Sequence, residues 1–220
     1  MRISWAIKYF SRLLAMNLRT PKRYRKLFKS IYQTKSRKIL EIGTFNGKHG
    51  KLAIETAKIF HPNQNVEYYG FDLFEELTEK QLRLELSKRP PAYDQVLELL
   101  TKTRAKVTLF KGNTIQTLPA YISELPKMDL IFIDGGHSKE TIQSDWSHVK
   151  KLLHESTIVI FDDYYTDLEE EIKGMGCQEL ISELNTEEFD VKILNPIDRF
   201  KKKWGTLNVQ FAQVSLKSSH

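Results

Sequence analysis

The sequence predicts an α/β protein built on a doubly wound, mostly parallel sheet of seven strands, with an antiparallel strand near one edge. Three observations predict it. Short apolar runs recur along the chain, segments with helical apolar spacing separate them, and the last two runs are joined by a loop instead of a crossover helix. At 220 residues the chain suits one such domain, enough to bury roughly 70% of its unfolded surface.

The first 36 residues read as a basic helical arm. Ile3, Ile7, Phe10 and Leu14, with Ala6 and Leu13 beside them, fall at helical spacing, while Arg2, Lys8 and Arg12 fall elsewhere. Such a helix lies on an anionic membrane surface, or packs its apolar face on the domain or on a second subunit; the packed arrangement is the commoner one. Residues 1–30 are therefore the candidate for peripheral contact with the inner face of a membrane, and a homo-oligomer is left open. The apolar stretch is interrupted by Lys8 and Arg12, well short of the roughly 20 residues of a membrane span, and it fits a signal peptide poorly.

Charge is distributed unevenly. Residues 1–38 hold twelve of the 34 basic residues and no acidic one, so the rest of the chain carries about −6. The basic character thus reads as a property of the arm and says nothing about the active site. A nucleic-acid partner is not expected, because the remainder is acidic and has no stacking-aromatic motif. Cys177 is the only cysteine, which excludes an intrachain disulfide and a cysteine-rich zinc site and fits a reducing, cytoplasmic location.

From Arg37 the strands and helices alternate. RKILEI (37–42) is the first strand, ending at Gly43; GTFNGKHG is a glycine-spaced turn, and 51–60 has helical spacing. VEYYGF (66–71) is the second strand, ending in Asp72. An insertion over 73–104 contains two helical stretches around Pro90 and Pro91, with Thr78 and Gln81 as a capping box; its length suggests a lid or dimer element. Residues 107–111 make a third strand and 114–125 a helix. Leu130 to Ile133 and Ile158 to Phe161 are strands joined by a crossover helix, and each runs into aspartate. After a helical segment over 167–184, broken at Gly174 and Gly176, strands at 191–194 and 207–214 flank the basic loop DRFKKKWG. That loop reads as solvated, with an anionic substrate or headgroup as the alternative.

Asp134, Asp162 and Asp163 then lie at the carboxyl ends of two strands, where open α/β sheets place their ligands. No lysine or arginine adjoins them in sequence, so either a cation fills the space or their pKa values rise. Because Asp162 and Asp163 are adjacent, alternation along a continued strand would send them to opposite faces, leaving one as a direct ligand.

The turn after the first strand is neither a P-loop nor a dinucleotide fingerprint. Three residues separate Gly43 from Gly47, His49 follows Lys48, and Phe45 stands where a second glycine would be needed. What remains is E-x-G-x-x-x-G with an acidic residue ending the next strand. In this the sequence resembles the class I S-adenosylmethionine-dependent methyltransferases: Glu41-Ile42-Gly43-Thr44-Phe45-Asn46-Gly47 is similar to their first motif, Asp72 to the carboxylate that accepts from the ribose, and Gly112-Asn113-Thr114 to the adenine-side loop. The resemblance implies a cofactor site of Glu41, Gly43, Thr44, Phe45, Gly47, Asp72, Leu73, Asn113, Thr114 and Asp134. Glycine allows close passage of the chain, and an acceptor-only side chain suits a diol.

DGGHSKETIQSDW followed by FDD resembles the macrocin-type and mycinamicin-type sugar O-methyltransferases. That implies Mg²⁺ on Asp134, Asp162 and Asp163, with His137 as base and Asp134 shared with the catalytic set. It covers about residues 37–215. Aspartate at 162, where some relatives carry glutamate, and Gly136, where members with an aspartate base carry it, are departures. A hard cation on carboxylates can acidify a bound hydroxyl, and histidine can take its proton near neutral pH. The expectation is a cytoplasmic enzyme that methylates an oxygen of a small hydroxylated acceptor, most simply a sugar. Two rivals stand beside it: a membrane-associated interaction protein on a degenerate methyltransferase fold, and a metal-dependent hydroxylase on the same scaffold. Tyr164, Tyr165 and Trp146 read first as packing residues, and His49, His61, His148 and His154 as surface or helix residues.

Overall fold

In the computed structural model, which describes residues 7, 10, 11, 14, 21–62, 66–84, 88–166 and 173–217, seven strands form one sheet in the order β3-β2-β1-β4-β5-β7-β6. The strands are β1 (Lys38–Ile42), β2 (Glu67–Asp72), β3 (Lys106–Lys111), β4 (Leu130–Ile133), β5 (Ile158–Tyr165), β6 (Phe189–Lys201) and β7 (Thr206–Leu216). β1 to β5 pair in parallel, and β7 runs antiparallel to both β5 and β6. The expected architecture is therefore present. Chain order reverses between β1 and β4, which creates the switch point where such sheets bind ligands.

Period-two alternation divides the core between the two faces. Leu40, Ile42, Ile131 and Ile133 point to one face, where α5 (Thr114–Tyr121), α6 (Lys139–Val149) and α7 (Gln178–Glu183) cover them; Ile39, Leu130 and Phe132 point to the other. That second face is covered by α1 (Tyr24–Thr34), α2 (Lys48–Ala57) and α4 (Tyr93–Thr101). α1 exists because Leu27, Phe28 and Ile31 recur at helical spacing, and all three are buried. Each contributes about 1.5–3 kcal/mol, so this part of the arm is fixed firmly to the domain.

The insertion holds α3 (Glu79–Leu84) and α4, and the Thr78–Gln81 capping box forms: Gln81 N donates to Thr78 Oγ1, and Thr78 N donates to Gln81 Oε1. Trp146 packs against Phe161 and Phe189, as a core residue. The last two strands are longer than the apolar runs predict, because Asp198–Lys201 of the basic loop continues the ladder with β7, leaving only residues 202–205 as the turn. Of the helix expected over residues 3–14, positions 7, 10, 11 and 14 are described, all helical and exposed. Phe10 meets the edge of Tyr32. The helical expectation over 167–172 lies outside the described residues. Among the described residues no helix is long and apolar enough to cross a membrane.

Candidate active site at the switch point

The turn after β1 is held by its neighbours. Gly43 N donates to Phe71 O at 2.9 Å and Gly47 N to Thr44 O at 2.9 Å. Gly43 has φ +87°, and a Cβ there would overlap the carbonyl of Asp134, so glycine is required where β1 passes the end of β4. At Gly47, φ +69°, a Cβ would stand 2.9 Å from Val96 of α4. Asp72, at the end of β2, ties this turn to the next: its carboxylate accepts from Phe45 N at 2.6 Å and Phe74 N at 2.8 Å. Burial raises its pKa, opposed by those amides. A carboxylate has about four acceptor positions, so hydrogen-bonding capacity remains for a diol.

Three other residues of the expected cofactor set have structural partners. Glu41 is buried beneath the turn and accepts from the Tyr68 hydroxyl; burial pushes its pKa up to about 8. Thr44 N donates to Phe71 O. Asn113 caps α5, its side-chain oxygen accepting from Ile115 N at 3.1 Å, with Thr114 as the first helical residue. Leu73 follows Asp72 and leads into the 3₁₀ turn Phe74–Glu76.

The three aspartates of β4 and β5 do converge: each offers an oxygen, and these lie within 4.8 Å of one another. The expectation that adjacent aspartates diverge fails for a local reason. Asp163 adopts φ +57°, and the β5–β7 register shifts between Phe161 and Tyr164. The bulge breaks strand alternation and turns both carboxylates toward Asp134. β5 also continues past the aspartates to Tyr165, so they sit within a strand and not beyond its end. Asp134 does not cap the following helix; Ser138 does, accepting from Thr141 N.

A cation already occupies this cluster, and it comes from far away in the sequence. Arg23, immediately before α1, donates from Nε to Asp162 Oδ1 at 2.6 Å and from Nη2 to Asp162 Oδ2 at 2.8 Å, and from Nη1 to Asp198 Oδ2 at 3.3 Å. Asp198 holds the arginine's own backbone as well, accepting from Lys22 N and Arg23 N at 2.7 and 2.9 Å. Burial disfavours the guanidinium charge, but Asp162 outweighs it, and the pKa of Arg23 rises. Next to it, Tyr24 Oη lies 2.8 Å from Asp134 Oδ2 and 2.9 Å from Asp162 Oδ2. Burial, then Asp162 and Asp163, push the pKa of Asp134 well up, with Tyr24 and Arg23 opposing. Burial and Asp163 raise Asp162 too, against the opposing pull of Arg23.

The oxygens suit a hard cation in kind, but not in availability. Both oxygens of Asp162 accept from Arg23, and Tyr24 links Asp162 to Asp134. With these contacts in place the three residues do not fit Mg²⁺ as a ligand set.

Asp163 has a different partner. His137, in the loop between β4 and α6, places Nε2 3.0 Å from Asp163 Oδ2. Burial would raise the carboxyl pKa, but His137 and Arg23 overcome it and the pKa falls. The loop is fixed by the 174–177 turn: Gly176 N donates to His137 O at 2.8 Å and Cys177 N to Asp163 O at 3.1 Å. His49, expected at the surface, is half-buried and stacks on Tyr24 at 4.0 Å between centroids. Burial and Arg23 lower its pKa to about 4, so it is neutral at pH 7. Arg23, Tyr24 and His49 are the site residues that sequence reasoning missed. Arg23 stands 139 positions from its partner Asp162, and no local pattern marks such a pairing.

A family model described as a methyltransferase domain matches residues 40–164. No curated protein matches the chain. Among solved structures it is similar to the O-methyltransferase from Bacillus cereus in complex with SAH, at 17% identity over 96% of this chain and 90% of that one, with a TM-score of 0.60. It is similar to the O-methyltransferase TomG from Streptomyces achromogenes in complex with SAM, at 15% identity over 91% and 81%, TM-score 0.58. An rRNA methylase from Streptococcus thermophilus is similar too, at 10% identity over 91% and 99%, TM-score 0.59. Identities this low establish a shared fold and leave the acceptor open.

Proposed function

The chain belongs to the methyltransferase-domain family, and from that premise we propose that it transfers a methyl group from S-adenosylmethionine to an oxygen of a small hydroxylated acceptor, a sugar or sugar conjugate being the simplest. The observation that carries the reading is the pairing of His137 with Asp163 on the rim that Asp134 shares with the Gly43–Gly47 turn. Asp72 supports the cofactor half: it ends the strand next to β1 and retains acceptor capacity for a ribose diol.

Bound S-adenosylmethionine supplies an electrophilic methyl on a sulfonium, with a thioether as leaving group. The protein must hold the acceptor oxygen in line and remove its proton, because an alcohol is a weak nucleophile. Asp163 stays ionised and orients His137 through Nε2, as a carboxylate does for an imidazole base. His137 would take the proton of the acceptor hydroxyl, while the Gly43–Gly47 turn and Asp72 would hold the S-adenosylmethionine whose methyl group that oxygen receives.

Charge disfavours a nucleic-acid acceptor. Outside the arm the chain is net acidic, and the rim holds three aspartates, whereas a polyanion needs a basic track. Titration calorimetry with S-adenosylhomocysteine, followed by labelled S-adenosylmethionine with a panel of sugars, nucleotide sugars and phenols, tests the proposal. Binding should be lost or weakened at least tenfold in Asp72→Ala. Absence of binding in the wild-type protein, or unchanged binding in that variant, removes the cofactor assignment. Labelled RNA in place of labelled sugar or phenol would remove the acceptor class.

A further inference from the structure

Acidic clusters at strand ends ordinarily need a counter-ion, and here the chain brings its own. We propose that Arg23, braced by Tyr24, is the resident cation of the Asp134–Asp162–Asp163 cluster, so that this protein's site is closed to divalent metal and cofactor binding and methyl transfer proceed without it. The part concerning methyl transfer rests on the function proposed above; the part concerning the metal does not.

Four features of the structure support this. Arg23 reaches Asp162 through two parallel N–H···O bonds of 2.6 and 2.8 Å, the fork geometry in which guanidinium satisfies both oxygens of one carboxylate. The arginine is 6% exposed and Asp162 is 3% exposed, so the pair is a buried contact and not a surface encounter. A second carboxylate, Asp198 of β6, holds the backbone of residues 22 and 23 and the far side of the guanidinium. That bracket has no purpose at a metal site, but it is what places an arginine there. Finally, Tyr24 fills the gap between Asp134 and Asp162, and its ring packs edge-on against Phe132 and Phe211 and flat against His49. A divalent ion on these oxygens would have to take the place of the Arg23 guanidinium and break the Tyr24 contacts to Asp134 and Asp162.

The remaining contacts agree. Asp162 pairs with Arg23, Asp163 lies against His137, and Asp134 accepts from the Tyr24 hydroxyl, so each carboxylate already has a partner that Mg²⁺ would have to replace. Arg23 acts on the reaction through the carboxylates it fixes, which makes it a positioning residue.

Manganese serves as the probe, because electron paramagnetic resonance reads free Mn²⁺ directly and needs no activity. Full-length wild-type protein titrated with MnCl₂ to millimolar concentration should leave the free-ion signal undiminished. Arg23→Gln, which removes the guanidinium and keeps a polar side chain, should bind about one equivalent, with affinity raised at least tenfold. Its melting temperature should rise on adding MgCl₂ while the wild-type value stays fixed. Binding of one Mn²⁺ by the wild-type protein that is abolished in Asp162→Asn would overturn the proposal. So would a folded Arg23→Gln protein that binds none, since the carboxylates would then not constitute a cation position at all. Should circular dichroism show that this variant is unfolded, the wild-type titration decides alone. Calorimetry of S-adenosylhomocysteine with and without EDTA separates the two readings: no binding in either condition defeats the proposed function and leaves the manganese result standing, whereas binding abolished by EDTA defeats the resident-cation assignment.

Discussion

Glu41 offers a sharp test of how the cofactor turn is built. It sits on β1 with its carboxyl buried against the Tyr68 hydroxyl, under the helix that begins at Lys48. Gly50 of that helix passes so close that a Cβ would strike Tyr68 and Glu41 together. Burial raises the carboxyl pKa from 4.5 to about 8, opposed by Tyr68 and aided by Asp72. The folded protein therefore keeps a proton at pH 7 that the unfolded chain releases above pH 4.5. For a raised carboxyl the sign is set: the unfolded state binds fewer protons, so this contribution to stability is full below pH 4.5 and declines as pH climbs to about 8. The slope approaches 1.4 kcal/mol per pH unit, and the whole decline is on the order of 4–5 kcal/mol. Glu41→Gln replaces the neutral acid by a neutral amide of the same shape and should abolish that decline. Urea unfolding of both proteins at pH 5, 6, 7 and 8 gives the answer. The variant should gain about 1.4 kcal/mol per pH unit on the wild-type protein from pH 5 to 7.5. Parallel profiles would mean that Glu41 is ionised in the fold, and the argument for a neutral carboxyl would fail.

Four further outcomes follow from the same geometry. Gly43→Ala places a methyl group on the Asp134 carbonyl at φ +87°, and should cost about 3 kcal/mol or more in urea unfolding; an effect below 1 kcal/mol would mean that β1 and β4 are not so close. His137→Ala should lower kcat by roughly 10²–10⁴-fold while leaving the affinity for S-adenosylhomocysteine intact, and Asp163→Asn should lower it in the same direction, read by single-turnover transfer of label. The low pKa of Asp163 means that its pairing persists above about pH 4 and is lost as pH falls through its depressed folded value, so acid inactivation above pH 5 must have another source. Arg23→Ala leaves Asp162 buried and unpaired, with an expected loss of about 3–5 kcal/mol in urea unfolding; adding Asp162→Asn should recover part of it, and strict additivity in that double-mutant cycle would deny the coupling.

What the sequence disclosed and what it withheld divide along one physical line. The strands were legible because Leu130 to Ile133 and Ile158 to Phe161 are apolar on both faces, and Ile39 to Ile42 is so apart from Glu41, as a covered parallel sheet requires. Gly43 and Asp72 were legible because a turn that passes backbone against backbone needs glycine, and because an aspartate ending a strand is conspicuous. The turning of Asp163 toward Asp162 was not legible. It depends on a positive φ and a register shift against β7, and a non-glycine residue gives no sign in sequence that it will adopt one.

The arm was misread for a related reason. Its excess of lysine and arginine looked like a surface property, unconnected with the acidic rim. Yet one of those charges, Arg23, is buried between two aspartates 139 and 175 positions away, and the helix that follows it is anchored by Leu27, Phe28 and Ile31. Net charge sums over residues that do different work, so a basic segment can be mostly solvated and still donate one cation to an interior site. The acidic cluster itself contained the clue: three carboxylates brought together without a counter-ion nearby in sequence require one from elsewhere. A metal and a distant arginine satisfy that requirement equally well on paper. The choice between them falls to packing, because an arginine on a helix with three buried apolar side chains has already met the cost of its placement through the hydrophobic contacts of α1, whereas an ion must compete for the same oxygens from water.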